Sequence, residues 1–492
     1  MRRCMPFLAL YVFLLALVQI PIWLASVVPL VDYPNHLARM YILINIDQSV
    51  DLQRFYEIHW TLLPNLAMDL LVPAFASILP LEVAGKLFLG CTFFLISGGV
   101  LFLHYALYRQ LSFWPFLVFL FLYNRIFLWG FLNYLFGVGL ALFSLGLWLL
   151  LRGRSALFST PLFMVLTLLI HLSHLVALGL YGLALMLYEL RLMVQARTVD
   201  RNALRIIPQF MIPMAIFSLN HAGLAHEVRF GDPTTKLIAI AGWLRNYSLS
   251  LDLITGALIA GVILAGLSRG ALSVHREMTW SLAGLILCFA TIPVFLFNSE
   301  TNRIGIAVMY LFLACTGLKS KRQSSRAVQG IVIGLMALLL VRLTVITLAW
   351  QGYDKSYIRC LKALDKIDPG KRLFTAVAYR GDWRPLPMPV EHLSSYAVIQ
   401  RSAFVPGLFH YPSTPQPLLF TPPFDRAYLS GPEFVNGDSP QWSEVLSGYD
   451  YAMLFREQLL SSPVPTALVK IASGDECSLY RITPPSLKGR PD

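Results

Sequence analysis

Long apolar runs recur in this chain from about residue 6 to residue 350, and they limit its fold more than any other feature. Charged residues make up 13% of the chain, against roughly 25% in an ordinary soluble domain. The core of a soluble protein does not contain so many long apolar segments, so these segments must be surrounded by lipid. The sequence therefore predicts an α-helical membrane protein that crosses the bilayer many times.

The apolar runs predict about eleven transmembrane helices. The first follows two arginines and is longer than the apolar core of a signal peptide, so we expect it to be retained. Several others are shorter than the roughly 20 residues of a perpendicular span, which leaves their boundaries soft. The predicted spans lie near residues 6–28, 86–108, 112–124, 130–151, 157–170, 175–190, 206–220, 252–268, 279–297, 304–318 and 328–350.

The stretch 62–82 decides the topology, because it is apolar but is interrupted by three prolines and Asp69. If it does not cross and the N-terminus is cytoplasmic, the cytoplasmic side receives fifteen basic and three acidic residues, and the outer loops receive eight and ten. If it crosses, every later loop changes side and the positive-inside rule fails. We therefore interpret 62–82 as a re-entrant or interfacial helix pair, and we expect the C-terminal domain to lie outside, in the periplasm or extracellular space.

Two domains follow from this reading. Residues 1–350 form the transmembrane module, in which residues 29–85 are the first outer loop, and residues 351–492 form a soluble extracytoplasmic domain. The net charge of +12 does not indicate a nucleic-acid partner, because from Gln351 onward the chain has 15 Lys+Arg against 14 Asp+Glu. The excess charge lies in the membrane module, where the positive-inside rule places it.

The soluble tail predicts a mixed α/β fold with strands at 373–379, 451–455, 467–471 and 478–482. Between them lies a proline-rich stretch, 383–423, which is too aromatic to stay solvated. We expect it to form an irregular surface that covers an outer cavity or holds an acceptor, and we assign no catalytic set to it. Cys360 and Cys477 lie near the two ends of the tail, and the sequence leaves open whether they form a disulfide in an oxidising compartment.

An acidic motif, Val31-Asp32-Tyr33-Pro34-Asn35-His36-Leu37-Ala38-Arg39, opens the first outer loop. Asp32 would lie at the level of the lipid headgroups, where partial desolvation raises the basicity of a carboxylate. His36 and Arg39 would share one helix face at i, i+3. A base beside a cation suits transfer from a lipid phosphate, because one group takes the proton and the other holds the leaving phosphate. The alternative is that Asp32 only caps the helix.

His171 and His174 lie at the outer end of two short spans, and ionisable residues in a membrane are candidates for function. They could share a metal, although two ligands do not make a site, and hydrogen-bonded structural histidines are the alternative. Glu57 precedes the stretch 62–82 and could contribute to the same outer cavity.

Arg125 lies in an outer turn between two spans, and Glu300 and Arg303 lie in another. An arginine at the outer boundary can bind an anionic lipid headgroup through its two-pronged guanidinium. Snorkelling without a ligand is the alternative reading. The polar neighbours of Arg303 favour a functional role for it.

In its order of features the chain resembles the GT-C superfamily, the polyprenyl-phosphate-sugar-dependent membrane glycosyltransferases. These features are one N-terminal span, an acidic residue opening a long first outer loop, interfacial helices, many short spans and an external α/β tail. The resemblance covers residues 1–350, and the tail matches in position only. It implies an inverting transfer from a polyprenyl-phosphate-linked sugar to a glycan, lipid or protein acceptor, with Asp32 as the base, in a bacterial cytoplasmic membrane. Many members have two adjacent acidic residues where this chain has Asp32-Tyr33, so no cofactor is assigned and a divalent cation is left open.

Two other functions compete with this one. A flippase or transporter for a lipid-linked precursor would have internal repeats and polar residues along mid-membrane helix faces. A glycan polymerase or ligase would carry its large loop between spans rather than as a tail. The chain contains no phosphate-binding glycine loop, HExxH or GxSxG motif, so nucleotide-driven transport, zinc proteolysis and serine hydrolysis are disfavoured.

Overall fold

The computed structural model describes eight segments of the chain: residues 5–220, 228–296, 299–319, 326–379, 389–411, 414–425, 433–436 and 439–483. Outside these ranges lie Arg2, Arg3, Lys321 and Arg322, four of the fifteen basic residues assigned to the cytoplasmic side, and residues 383–388 and 412–413 of the proline-rich stretch. The protein is mostly helical, with a small separate region of β-sheet.

Fifteen α-helices make up the first three quarters of the described chain, and seven of them are long and apolar enough to cross a membrane. In chain order they are α1 (Met5–Leu24), α2 (Tyr33–Asn45), α3 (Val50–Phe55), α4 (Ala67–Ala76), α5 (Leu81–Tyr108), α6 (Arg125–Trp129), α7 (Leu132–Leu151), α8 (Ala156–Ser173), α9 (Leu175–Ala196), α10 (Ile206–Asn220), α11 (Pro233–Ala241), α12 (Leu249–Ser268), α13 (Thr279–Thr291), α14 (Ile304–Cys315) and α15 (Arg326–Leu364). The seven long apolar helices are α1, α5, α7, α8, α9, α12 and α15.

Each of the eleven predicted spans falls on a helix, but four of these helices are short. The span predicted at 112–124 is a 3₁₀ helix, Trp114–Phe121, and the other three are α10, α13 and α14. Seven of the eleven predicted spans therefore have the length and apolar character of a membrane span.

The ambiguous stretch 62–82 contains α4, a helix of 10 residues. At 1.5 Å per residue α4 is about 15 Å long, half the roughly 30 Å of a hydrocarbon core. It is one helix rather than the predicted pair. Its length agrees with the interpretation that this stretch does not cross.

Arg342 lies in the middle of α15, where an unpaired charge would be costly. It is buried and donates to Asp252 Oδ1 of α12 at 2.8 Å and to the backbone oxygen of Leu244 at 2.6 Å. The charge is thus paired within the bundle, and this pair fixes α15 against α12.

The strands are short except in the tail. In chain order they are β1 (Tyr56–Ile58), β2 (Val228–Arg229), β3 (Leu272–Val274), β4 (Phe295–Leu296), β5 (Ser299–Glu300), β6 (Thr316–Leu318), β7 (Leu373–Tyr379), β8 (Leu418–Phe420), β9 (Glu433–Asn436), β10 (Tyr451–Phe455), β11 (Leu468–Ser473) and β12 (Cys477–Ile482). The tail sheet has the order β11-β12-β10-β7-β9, with β7 parallel to β10 and β9 and the other pairs antiparallel. The four predicted strands correspond to β7, β10, β11 and β12, whereas β8 and β9 were not predicted.

The tail is attached to the membrane module by a continuous helix. α15 extends through the predicted boundary at residue 351 as far as Leu364, and two short helices, α16 (Tyr396–Arg401) and α17 (Trp442–Gly448), follow it. A disulfide joins Cys360 on α15 to Cys477 on β12, with their Cα atoms 6.0 Å apart. The sheet is therefore covalently tied to the end of the last membrane helix.

The proline-rich part of the tail packs onto the first outer loop. β1 pairs with β8 in antiparallel register, and the hydroxyl of Tyr56 donates to the backbone oxygen of Ala403 and accepts from the backbone N–H of Val405, both at 3.0 Å. The carboxylate of Asp354 on α15 accepts the backbone N–H groups of residues 26 and 27 at 3.0 and 2.9 Å. The Asp354 contacts hold the segment that leads into α2, and the contacts of β1 and Tyr56 hold the loop that follows it.

Candidate functional site

Asp32 stands immediately before α2 and is held there by its backbone. Its N–H donates to the carbonyl of Trp129 at 3.1 Å, and its own carbonyl accepts the N–H of His36 at 3.0 Å. Although Asp32 occupies the N-cap position, its side chain makes no capping hydrogen bond. The carboxylate therefore does not cap the first turn of α2, which was the alternative role for Asp32.

Gly130 makes the close approach of Asp32 possible. Its φ is +97°, a left-handed conformation that favours glycine, and a Cβ there would lie 2.8 Å from the Cβ of Asp32. The turn between α6 and α7 thus packs directly against the start of α2. Any larger residue at position 130 would push the two apart.

The carboxylate of Asp32 opens into a cavity of about 430 Å³. One end of this cavity is polar, and the other end runs along the apolar faces of α9 and α13. The tail contributes part of the wall. The lining residues are Asp32, His36, Pro64, Asn65, Gly130, Phe131, Leu132, Asn133, Tyr134, His174, Leu175, Val176, Gly179, Leu180, Leu183, Cys288, Ile292, Leu296, Thr301, Arg303, Ile304, Phe409, Thr414, Pro415 and Gln416.

Burial changes the acidity of Asp32. Its side chain is 13% exposed, and desolvation, followed by the nearby charge of Glu391, raises the pKa of Asp32 to about 8, although Arg303 and Arg39 act in the opposite direction. A carboxylate with this pKa is a stronger base than a solvated one. It is also near the value that proton transfer at neutral pH requires.

A histidine from the tail faces this carboxylate. His392 Nε2 lies 3.7 Å from Asp32 Oδ1, and burial lowers the pKa of His392 to about 4, so the imidazole is neutral at pH 7. The amide nitrogen of Asn35 lies 3.3 Å from His392 Nδ1 and 2.6 Å from the backbone oxygen of Gly407. Because an amide N–H can only donate, Nδ1 is the acceptor and Nε2 carries the proton that faces Asp32.

Arg303 and His174 form a second polar group in the cavity. The guanidinium of Arg303 lies over the Phe131 ring, 4.4 Å from its centroid, and its Nη1 is 3.2 Å from His174 Nε2. His174 Nδ1 accepts the backbone N–H of Val176 at 3.1 Å, which leaves the proton of a neutral ring on Nε2. Burial and the charge of Arg303 hold the pKa of His174 well below its usual range, so two donors face each other. An anionic oxygen that approaches both groups from the cavity would accept from both.

His36 and Arg39 lie together on α2, as the spacing predicted, but their side chains are engaged within the protein. Arg39 is fully buried and donates to both carboxylate oxygens of Asp69 on α4, at 2.6 and 3.1 Å, and to His36 Nδ1 at 3.1 Å. His36 Nε2 in turn contacts the carbonyl of Gly130 at 3.3 Å. His36 borders the cavity, whereas Arg39 acts through its neighbours and fixes the ring of His36.

Arg125 and Glu300 line a neighbouring cavity of about 380 Å³. It shares Phe131 with the first cavity and is bordered by the indoles of Trp129 and Trp243. The guanidinium of Arg125 lies 5.5 Å from the centre of the Trp129 ring. Aromatic walls combined with a few charged and amide groups are typical of pockets for small organic molecules.

The remaining predicted site residues lie elsewhere. Glu57 is exposed on β1, and His171 is fully buried within α8. Neither lines either of these two cavities. In the described part of the chain no group of three or more His, Cys, Asp or Glu side chains is arranged to hold a metal ion.

Two tail residues of this site, His392 and Gln416, were not among the predicted site residues. Both are buried and belong to the proline-rich stretch, which was expected to cover an outer cavity or hold an acceptor and to carry no catalytic set. Gln416 lines the cavity, and its buried Oε1 has no hydrogen-bond partner among the described residues. No spacing in the sequence relates these residues to Asp32, because they come together only through the packing of the tail on α2.

Comparison of the chain with protein families, with curated proteins and with solved structures finds no match.

Proposed function

We propose that this protein is a membrane glycosyltransferase of the GT-C type that moves a sugar from a polyprenyl-phosphate donor to an acceptor on the outer face of the membrane. The observation that carries the proposal is the placement of Asp32. A desolvated carboxylate that caps nothing faces the polar end of a cavity whose other end is apolar. That combination suits a base acting on a ligand with a polar head and a lipid chain.

The length of the apolar end supports a lipid-linked donor. It follows α9 from Leu175 to Leu183, which corresponds to about 12 Å at the helical rise per residue. Gly179 lies on this wall, and a Cβ placed there would have open space within 4 Å. The first units of an isoprenoid chain fit along such a wall. The phosphate would then lie at the level of Arg303 and His174.

The proposed step is an inverting displacement. Asp32 takes the proton of an acceptor hydroxyl, whose oxygen forms a bond to the anomeric carbon of the sugar. The bond from that carbon to the phosphate oxygen breaks, and polyprenyl phosphate leaves with the electron pair. Arg303 and the Nε2–H of His174 stabilise the negative charge on the leaving group.

His392 and Gln416 are proposed to position the reactants. The Nε2–H of His392 faces Asp32 and stabilises the ionised carboxylate before it accepts the proton. Gln416 Oε1 is a buried acceptor that a sugar hydroxyl would satisfy. The second cavity, with Arg125 and Glu300, is proposed to hold the acceptor.

We further propose eleven membrane crossings with a cytoplasmic N-terminus and a periplasmic tail. The short helices α10, α13 and α14 and the 3₁₀ helix Trp114–Phe121 would then cross as shortened or tilted segments. The Cys360–Cys477 disulfide supports the external placement of the tail, because disulfides persist in oxidising compartments. The basic loops on the opposite face support the same orientation.

The test is the exchange Asp32→Asn in the native host, with glycolipids and glycans profiled by mass spectrometry. We expect one glycan product to disappear and a polyprenyl-phosphate-linked sugar to accumulate. Glu57→Gln is the matched control, because its carboxylate is exposed and borders neither cavity. Unchanged products in Asp32→Asn cells, with the variant inserted at normal abundance, would refute the proposal.

A further inference from the structure

A third cavity, of about 490 Å³, lies away from Asp32, between the 3₁₀ helix Trp114–Phe121, α12 and α15. Its walls are almost entirely apolar and include Ala257, Gly261 and Ala265 of α12 and Leu335 and Leu339 of α15. Among its lining residues only Arg269, at one end, carries a charge. None of its residues belongs to the site described above.

We propose that this groove binds one anionic phospholipid, with an acyl chain along α12 and the phosphate at Arg269 and Lys319. The inference does not rest on glycosyl transfer. It is drawn from the length of the groove, from the charges at one end, and from a glycine that leaves space for the chain.

The length of the groove matches one leaflet. From Ala257 to Arg269, α12 and its cap rise by about 18 Å at 1.5 Å per residue. Half of a hydrocarbon core is about 15 Å thick. An acyl chain that starts at the headgroup level beside Arg269 would therefore reach the end of the groove near the bilayer centre.

The charge at the open end is positive and is not neutralised by the described residues. Arg269 follows α12 directly, and the backbone N–H of Lys319 donates to the carbonyl of Ala271 at 3.0 Å, which brings the two basic residues together. The Nζ of Lys319 is 3.6 Å from the point where a Cβ on Gly270 would lie. Both side chains are exposed, and neither takes part in an ion pair between described residues. A lipid phosphate complements this pair, whereas a zwitterionic headgroup brings its own cation.

Gly261 is a position at which a larger side chain would fill the groove. It lies on the wall, and a Cβ added there would meet no atom within 4 Å, so a side chain can start there without a clash and a leucine would extend into the groove. Gly334 on α15 is a matched control: it is also a membrane-helix glycine with open space around its Cβ, and it does not line the groove. Gly261→Leu should thus remove the lipid chain while the fold is kept.

The experiment is native mass spectrometry of the full chain, purified in a neutral detergent and titrated with dioleoyl phosphatidylglycerol or dioleoyl phosphatidylcholine. We expect one tight phosphatidylglycerol site in the native protein and in Gly334→Leu, and its loss in Gly261→Leu. Two neighbouring cations near a lipid surface predict a preference of about 30-fold for phosphatidylglycerol over phosphatidylcholine.

A second set of variants tests whether Arg269 and Lys319 select the anionic lipid. The double exchange Arg269→Gln with Lys319→Gln should abolish the preference between the two lipids. The control is Arg154→Gln with Arg201→Gln, which removes two exposed basic residues outside the groove and should leave the preference unchanged. Equal binding of the two lipids to the native protein, or retention of the site in Gly261→Leu, would overturn the proposal.

Discussion

Replacing Asp32 by asparagine removes a buried charge and keeps the size of the side chain, so it separates the cost of that charge from the packing around it. The pKa of Asp32 rises from 3.8 to about 8 on folding, chiefly through desolvation. The folded state therefore holds a proton that the unfolded chain has already released between these two values. Stability from this group is fully present below about pH 4 and is lost as the pH rises through 8.

The size of the effect follows from that shift. Each pH unit within the window is worth about 1.4 kcal/mol, and the slope flattens as the pH approaches 8. Between pH 6 and 8 the native protein should lose about 2 kcal/mol that the asparagine variant keeps. In a chain of this size that corresponds to a few degrees in Tm.

The assay is thermal unfolding of the full chain in one detergent at pH 6, 7 and 8, followed by intrinsic fluorescence. The Tm difference between Asp32→Asn and the native protein should grow in favour of the variant as the pH rises. Glu57→Gln should show no such trend, because water solvates that exposed carboxylate in both states. A Tm difference that stays constant from pH 6 to 8 would refute the desolvation of Asp32.

Three further outcomes follow from the contacts of the site and the tail. Asp69→Asn leaves the buried charge of Arg39 without its partner and should destabilise the protein by about 3–5 kcal/mol; a Tm equal to that of the native protein would contradict the pairing. Arg303→Ala should lower product formation in membranes about 100-fold, the usual cost of losing a donor to a developing anion, and an unchanged rate would exclude Arg303 from the phosphate site. Replacing Cys360 and Cys477 by serine should cost about 2–5 kcal/mol and make the Tm insensitive to dithiothreitol, whereas a native protein already insensitive to the reductant would argue against the bond.

Local patterns in the sequence predicted much of the fold. Apolar runs marked the helices, because each helix that contacts lipid must be apolar along its length. Strand-like runs marked four of the five strands of the tail sheet. The polar interruptions at Asp69 and the prolines suggested that 62–82 does not form a full-length span, and the helix found there, α4, has 10 residues. The same Asp69 was not recognised as the partner of Arg39, because an ion pair between two helices leaves no spacing to detect.

The candidate site was predictable only in part. Asp32, His36, His174 and Arg303 were chosen as polar residues at the outer ends of spans, and all four line one cavity. His392 could not be found this way, since its approach to Asp32 depends on the packing of the tail against α2. Such contacts join residues more than 350 positions apart and are set by tertiary structure alone.

The ligand in the cavity beside Asp32 can be identified directly. Asp32→Asn should bind donor without turning it over, so native mass spectrometry of this variant, purified from its own membranes, should show a bound polyprenyl phosphate that carries a sugar. The added exchange Gly179→Leu should expel this lipid by filling the apolar end of the cavity, while Gly334→Leu should not. If the intact Asp32→Asn protein carries no polyprenyl-linked sugar, or if the lipid remains in the Gly179→Leu double variant, the account of this site as a donor cavity is wrong.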